Sequence, residues 1–206
     1  MDTPEIVGKG VNAGFQARYI HLNRTLVMKT LIKFVHAIDA INNRLAVFAM
    51  WAIFLSCAIS CGNAVFRFVF SNSSNGWLEI QWYLFAAAVM LGASTVLRVN
   101  EHVRVDIIYG QLATRTKVYI DLFGFIFFLI PVMCLLIYLS WPFFIDKFFS
   151  GEMSSNAGGL VRWPVWMAMN LGFLMVLLQG IAEIIKRVGW LKHKYEMNLV
   201  YERPLQ

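Results

Sequence analysis

The sequence predicts an all-α membrane protein with four transmembrane helices, and three observations lead to this prediction. Hydrophobic residues make up 59% of the 206-residue chain and charged residues only 15%, whereas about a quarter of the residues in soluble domains are charged. The apolar residues are gathered into four runs, each near the ~20 residues that a helix needs to cross a bilayer. The basic residues lie almost entirely on one side of these runs. A water-soluble core of this size could not bury so much apolar surface, so the chain belongs in a membrane.

The four predicted spans cover residues 45–66, 80–97, 119–144 and 165–185. The third span is the longest, so we expect it to tilt or to extend beyond the membrane surface. It contains Pro131, which lacks a backbone N–H and is therefore expected to kink the helix.

The segments outside the spans also have predicted roles. Residues 25–44 have an apolar stripe at helical spacing and basic residues on the opposite face, which indicates an amphipathic helix in the inner membrane interface. An early start of span 1 is the alternative. Residues 1–24 are predicted to form a disordered tail, residues 45–190 the four-span domain and residues 191–206 a cytoplasmic tail.

The basic residues predict the orientation of the chain. Of the 18 Lys and Arg residues, all but Arg67, Lys147 and Arg162 fall on the side that holds both termini and the connection between spans 2 and 3. Because Lys and Arg collect on the cytoplasmic side of membranes, both termini are predicted to be cytoplasmic. Basic residues placed in this way are expected to contact phospholipid phosphates, and no nucleic-acid partner is predicted.

The connection between spans 2 and 3 concentrates charged groups, namely Arg98, His102, Arg104 and Asp106. A metal site there would need further ligands, and no Cys or second His is close in sequence. We therefore expect a structural elbow that docks on a partner or on the chain's own helices. All four histidines lie outside the predicted spans, where they could not ligate a buried haem, and the sequence predicts neither a cofactor nor an enzymatic activity.

Small and polar residues within the spans predict helix contacts. Ala88 and Gly92 form a small-xxx-small pair in span 2, which allows a second helix to approach closely. The Gln179 amide in span 4 would be costly against lipid, so it is expected to face another helix. These residues are candidates for a structural role or a subunit interface.

Several stretches, in this order, carry a family resemblance. They are Glu79 at the start of span 2, "LGASTVLRVNEHVRVDIIYGQL" after it, "SSNAGGLVRWPVW" ahead of span 4 and "GFLMVLLQGIAEII" within it. With these stretches, residues 39–190 resemble the small membrane subunit (DctQ type) of tripartite ATP-independent periplasmic (TRAP) transporters. The resemblance implies that Gly158 and Gly159, with Trp163 and Pro164, form the turn into span 4.

The resemblance also implies a function. The chain would be a non-enzymatic scaffold in a bacterial inner membrane that braces a separate, large multi-span TRAP subunit. That subunit would carry out ion-coupled uptake, with Na⁺ as the expected ion, of an organic acid anion delivered by a periplasmic substrate-binding protein. The alternatives are a membrane anchor of a redox complex and a stand-alone four-span exporter.

Overall fold

A computed structural model describes the backbone of residues 5–71, 74–99, 112–193 and 195, with side chains from residue 28 onward. This part of the chain forms four long helices, α1 (Glu5–Phe70), α2 (Asn75–Val99), α3 (Thr114–Ser150) and α4 (Trp163–Leu191). Each contains a stretch long and apolar enough to cross a membrane. The predicted all-α fold with four candidate spans is therefore confirmed.

Helix α1 is much longer than a membrane is thick. Its residues Met28–Phe70 number 43 and measure about 64 Å at 1.5 Å per residue, against a hydrocarbon core of about 30 Å. Residues 5–24, expected to be disordered, and residues 25–44, expected to form a separate interfacial helix, both belong to this one helix. No Gly or Pro occurs from residue 28 to residue 61, so nothing in that stretch favours a break.

The buried face of α1 repeats every seven residues. Its most buried members are small or polar in the membrane half and aliphatic towards the N-terminus. The repeat comprises Val35, Ile38, Asn42, Leu45, Ala49, Ala52, Ser56, Ile59 and Asn63, each buried or half-buried. A sustained seven-residue repeat is the packing pattern of left-handed helix pairs. It places α1 against α2 along the membrane half and against α4 at the other end.

Helix α3 changes its hydrogen-bonding pattern in the middle. Phe125–Leu129 form a π-helical turn, immediately ahead of Pro131, whose missing N–H leaves a gap in the usual backbone ladder. The expected irregularity at Pro131 is thus a π turn. Leu129 in this turn packs on Gly180 of α4, where a side chain would be only 2.5 Å from the Leu129 methyl group.

Helix α4 is the central element of the bundle. It packs against α1, α2 and α3, whereas α3 packs chiefly against α4. Among the four candidate spans α4 has the largest buried share, and the most apolar window of α3 has no buried residue. Most of the surface of α3 is therefore available to lipid or to another protein.

Candidate functional site: polar clusters at both ends of the bundle

A buried polar network joins all four helices near the end of the bundle where α2 finishes and α3 begins. We call it the inner cluster, and it comprises Asp39, Asn42, Ser94, Asp121, Gln179, Glu183, Lys186 and Arg187. Counted from Trp163 at the start of α4, Gln179 lies about 24 Å and Arg187 about 36 Å along the helix axis. The inner cluster therefore lies around the boundary of a hydrocarbon core of about 30 Å.

The neutral half of the inner cluster is centred on Asn42, which is fully buried. Its amide nitrogen donates to the Gln179 side-chain oxygen at 2.5 Å, and its own oxygen accepts from the Ser94 hydroxyl at 2.7 Å. The Thr95 hydroxyl donates to the Asn42 carbonyl at 3.1 Å. One buried amide thus connects α1, α2 and α4, in an environment where an unmade hydrogen bond would be expensive.

The charged half is centred on Glu183, whose exposure is 4%. Its carboxylate accepts from Lys186 at 2.8 Å and from Arg187 at 2.6 Å. Lys186 also donates to Asp39 on α1, and Arg187 donates twice to Asp121 on α3, at 3.1 and 2.9 Å. Of these two neighbouring cations of α4, Lys186 therefore binds α1 and Arg187 binds α3.

The inner cluster holds the four helices together through overlapping ion pairs and hydrogen bonds. The Arg187 guanidinium lies 4.5 Å from the centre of the Phe125 ring in the π turn, an arrangement that adds cation–π attraction to the ion pairs. Gln179 donates to both Asp39 and Glu183, at 3.1 and 2.9 Å, and so joins the neutral and charged halves. Buried charges that are paired and hydrogen-bonded in this way resist any separation of the helices that hold them.

The opposite end of the bundle, the hairpin end, is closed by the segment between α3 and α4. Residues 151–162 form a narrow hairpin in which Ser154 and Leu160 are joined through backbone groups at 2.8 Å, and Arg162 and Glu152 likewise at 3.0 Å. Gly158 has a left-handed φ of +69°, a conformation that glycine adopts without strain. A side chain on Gly159 would come within 2.5 Å of the Ser154 Cβ, so the hairpin requires glycine there as well.

Glu79 fastens this hairpin to α2. Its carboxylate accepts from the Leu160 backbone N–H at 2.6 Å and from the Asn156 amide at 2.8 Å. The Tyr83 hydroxyl, one turn further along α2, donates to the Val161 carbonyl at 3.1 Å. Glu79 is 3% exposed, so these bonds are made in a desolvated position where charge-assisted hydrogen bonds are strong.

Removal of the Glu79 charge is expected to release the hairpin. In Glu79→Gln one carboxylate oxygen becomes an NH₂ group, which cannot accept a hydrogen bond, and the remaining oxygen loses the charge that strengthens its bond. The measurement is the rate of maleimide labelling, in a background without the native cysteines, at an introduced Leu160→Cys. This position is half-buried in the parent, so the rate should rise. Asp146→Asn, an exposed carboxylate at the same end, is the control and should leave the rate unchanged. Equal rates in Glu79→Gln and in the parent would contradict this role.

A second set of charges links the hairpin to α3. Glu152 pairs with Lys147 of α3 and with Arg162 of the hairpin, the latter at 2.9 Å. The Lys147 ammonium, which donates to Glu152, holds the pKa of the Glu152 carboxyl below its usual value of 4.5. Because this pKa is lower in the folded state, the carboxylate stabilises the hairpin above pH 4.5, and the contribution is lost as the pH falls through the lowered value.

The lowered pKa of Glu152 predicts that the parent and Glu152→Gln differ in stability by an amount that depends on pH. The unfolding temperature of the parent minus that of Glu152→Gln should be positive at neutral pH and should shrink as glutamate titrates. Carboxylates remote from this pair contribute equally to both proteins and cancel in the difference. A difference that stays constant or grows with acidity would show that the ion pairs of Glu152 do not stabilise the hairpin.

The structure places the candidate helix-contact residues inside the chain itself. Ala88 is buried with Ala49 and Ala52 of α1, and a side chain on Gly92 would meet the Ala49 Cβ at 3.6 Å. Gln179 is fully buried in the inner cluster. The small-xxx-small pair of α2 therefore lies in the contact between α1 and α2.

The other candidate residues fall into two groups. Trp163 and Pro164 begin α4, and the Trp163 ring meets Phe148 edge-on at 5.5 Å. Arg98 lies in the last turn of α2, and its buried Nε has no hydrogen-bond partner among the described residues. His102, Arg104 and Asp106 lie outside the described residues.

The sequence interpretation missed most of the inner cluster. It assigned Lys186 and Arg187 to the basic segment after span 4, whereas α4 continues to Leu191 and buries both. A signal was present, since Gln179, Glu183 and Lys186 are spaced by four and three residues and thus share one helix face. Polar residues aligned at that spacing in an apolar helix indicate a buried face.

The fold and the two polar clusters define a class of protein, a multi-span helical membrane protein whose spans are joined by buried hydrogen bonds and ion pairs. The family model for "Tripartite ATP-independent periplasmic transporters, DctQ component" matches residues 56–189. The match covers more than half of the chain, so the chain belongs to the DctQ family and is a small membrane component of a TRAP transporter. The family is one of transport components and not of enzymes. Comparisons with curated proteins and with solved structures gave no significant match.

Proposed function

We propose that this chain is the fixed brace of a TRAP transporter in a bacterial inner membrane, with both termini in the cytosol. It binds a separate, large multi-span subunit that carries out Na⁺-coupled uptake of an organic acid anion. A periplasmic substrate-binding protein delivers that anion. Membership of the DctQ family supports the assignment to such an assembly.

The observation that carries the bracing role is the inner cluster. It takes side chains from all four helices and pairs the buried cations Lys186 and Arg187 with carboxylates on α1, α3 and α4. At the hairpin end Glu79 fastens the connection between α3 and α4 to α2. Helices that are joined at both ends of the bundle resist displacement relative to one another. Such a rigid bundle suits a subunit that stays still while its partner moves.

The partner surface in this proposal includes α3. Its large apolar side chains are exposed along most of its length, for example Phe127, Leu135 and Leu139. The most direct test is purification of the tagged chain in mild detergent. A multi-span protein should co-purify, and deletion of the chain should abolish uptake of radiolabelled organic acids. If the chain purifies alone and uptake survives the deletion, the proposal is wrong.

A disulfide can test whether the brace is static. A Cβ on Gly92 would lie 3.6 Å from that of Ala49, within the range of a disulfide. In a background without the native cysteines, Ala49→Cys/Gly92→Cys should crosslink α1 to α2 under oxidation and leave uptake at the level of the reduced protein. Each single substitution serves as the control. Uptake that stops on oxidation and returns on reduction would show that these helices must move.

A further inference from the structure

A cleft of about 410 Å³ opens at the hairpin end, between α2 and the start of α4. Its roof is formed by the hairpin and its walls by the two helices. Its lining comprises Glu79, Trp82, Tyr83, Ser154, Ser155, Asn156, Arg162, Val165, Trp166 and Met169. This volume lies within the usual range for small-molecule sites.

The lining changes from polar to apolar along α4. Arg162 and the hairpin serines lie at one end, and Val165 and Met169 follow towards the middle of the bundle. The seven residue steps from Arg162 to Met169 correspond to about 10 Å along the helix. Trp82 and Trp166 stand on the two walls, and tryptophan is typical of the level where headgroups meet hydrocarbon. The gradient matches a molecule with a polar head and an apolar tail.

The polar part of the cleft offers donors that need an acceptor. The Glu79 oxygens accept from Leu160 and Asn156, and the Tyr83 hydroxyl donates to Val161. By contrast, among the described residues the Trp82 and Trp166 indole N–H groups and the remaining Arg162 N–H groups have no protein acceptor. Indole and guanidinium groups only donate, so the complementary ligand group is an oxyanion such as a phosphate.

The charges of the lining select among phospholipids. The lining has one guanidinium, on Arg162, and one carboxylate, on Glu79. Arg162 also pairs with Glu152, which in turn pairs with Lys147, so the formal charge of these four groups is zero. A headgroup with a phosphate and an ammonium matches this balance, whereas a headgroup with net negative charge would place uncompensated charge near the Glu79 carboxylate.

We propose that this cleft binds one zwitterionic phospholipid, with its phosphate on Arg162 and the two indole donors and an acyl chain along Val165 and Met169. This inference concerns lipid binding and does not depend on the partner subunit. In the orientation predicted from the basic residues, the lipid belongs to the periplasmic leaflet.

The test is native mass spectrometry of the full chain, with any attached subunits, after exchange into phosphatidylethanolamine, phosphatidylcholine or phosphatidylglycerol. One zwitterionic lipid per chain should be retained in preference to phosphatidylglycerol. Arg162→Gln, which removes the charged donor, and Met169→Trp, which fills the apolar end, should each weaken retention roughly tenfold. The matched controls are Arg67→Gln, at the same end of α1, and Met167→Trp, on the exposed side of α4.

Several outcomes would overturn the proposal. They are the absence of a retained lipid, equal losses in the control variants, equal or tighter retention of phosphatidylglycerol, and displacement of the lipid by inorganic phosphate alone. A photocrosslink from Trp82→benzoylphenylalanine, on the exposed wall of the cleft, that captures another protein chain instead of lipid would also overturn it. Uptake is not the readout, so failure here would leave the bracing role standing.

Discussion

Arg187→Gln is expected to destabilise the chain by roughly 3 kcal/mol, the cost of breaking a buried ion pair from one side. Arg187 is 3% exposed and gives two hydrogen bonds to Asp121 and one to the Glu183 carboxylate. Without it, these carboxylates lose their guanidinium partner in a position with little access to water. The inner cluster, which when fully ionised has three carboxylates and two cations, would then have two excess negative charges.

The measurement is the unfolding temperature of the detergent-solubilised protein. Lys192→Gln, an exposed basic residue just after α4, is the matched control and should leave that temperature unchanged. The double variant Arg187→Gln/Asp121→Asn removes one positive and one negative charge together, so it should recover part of the loss. If the double variant is no more stable than Arg187→Gln alone, charge balance is not what Arg187 supplies.

Gly172→Ala is expected to destabilise the chain by about 1–3 kcal/mol through overpacking. An added Cβ would lie 2.7 Å from both the Cβ and the carbonyl oxygen of Met90 on α2. The backbone of α2 cannot retreat as a flexible side chain can, so α2 and α4 must separate. The separation would strain the hydrogen bonds from Ser94 to Asn42 and from Asn42 to Gln179, which connect α2 to α4 by way of α1.

Two other glycines provide the controls. A Cβ on Gly92 would make an ordinary contact with Ala49, and one on Gly62 of α1 would meet nothing within 4 Å. Because alanine favours helix over glycine, both substitutions should be neutral or slightly stabilising. Unfolding temperatures of the three alanine variants measure the prediction, and a Gly172→Ala protein as stable as Gly62→Ala would refute the close contact of α2 and α4.

The number of helices could be predicted from the sequence because the bilayer sets the length of an apolar run. The ends of the helices could not, since hydropathy reports which residues suit lipid and not where the backbone stops coiling. Residues 165–185 were predicted as the fourth span, whereas α4 runs from Trp163 to Leu191. The extension begins with Lys186 and Arg187, which are charged but are buried by ion pairs to other helices.

The contact face of α1 illustrates a second limit. The apolar stripe of residues 25–44 was predicted to lie in the membrane interface. In the structure the apolar Ile41 is 44% exposed and the polar Asn42 beside it is fully buried against other helices. In the membrane half, large residues such as Phe54 point outward while small or polar ones face α2. Lipid is as apolar as leucine, so helices in a membrane associate through small and hydrogen-bonding residues. In the membrane half, a search for apolar periodicity therefore does not find the face of α1 that packs on α2.

The Glu79 contact depends on partners that are far apart in the chain. The resemblance marked Glu79, Gly158 and Gly159 as positions of interest, but pairing Glu79 with the Leu160 N–H, 81 residues away, requires the packing of α2 on the hairpin. The inner cluster likewise joins residues that are distant in the chain, since Asn42 and Gln179 are 137 residues apart. Spacing within one helix can indicate a polar face, and only the assembled bundle shows what that face meets.

Because α1 is continuous, its seven-residue repeat fixes the angle about the helix axis at which the residues ahead of the span face the other helices. Inserting one residue between Leu45 and Ala49 would turn the N-terminal part by about 100° relative to the span, and Asn42 would then point away from Gln179. Inserting seven would restore the angular register while moving the segment about 10 Å further along its axis. Helical geometry therefore sets the direction in which the segment ahead of the span faces. A rotation of the span about its own axis would turn that segment by the same angle.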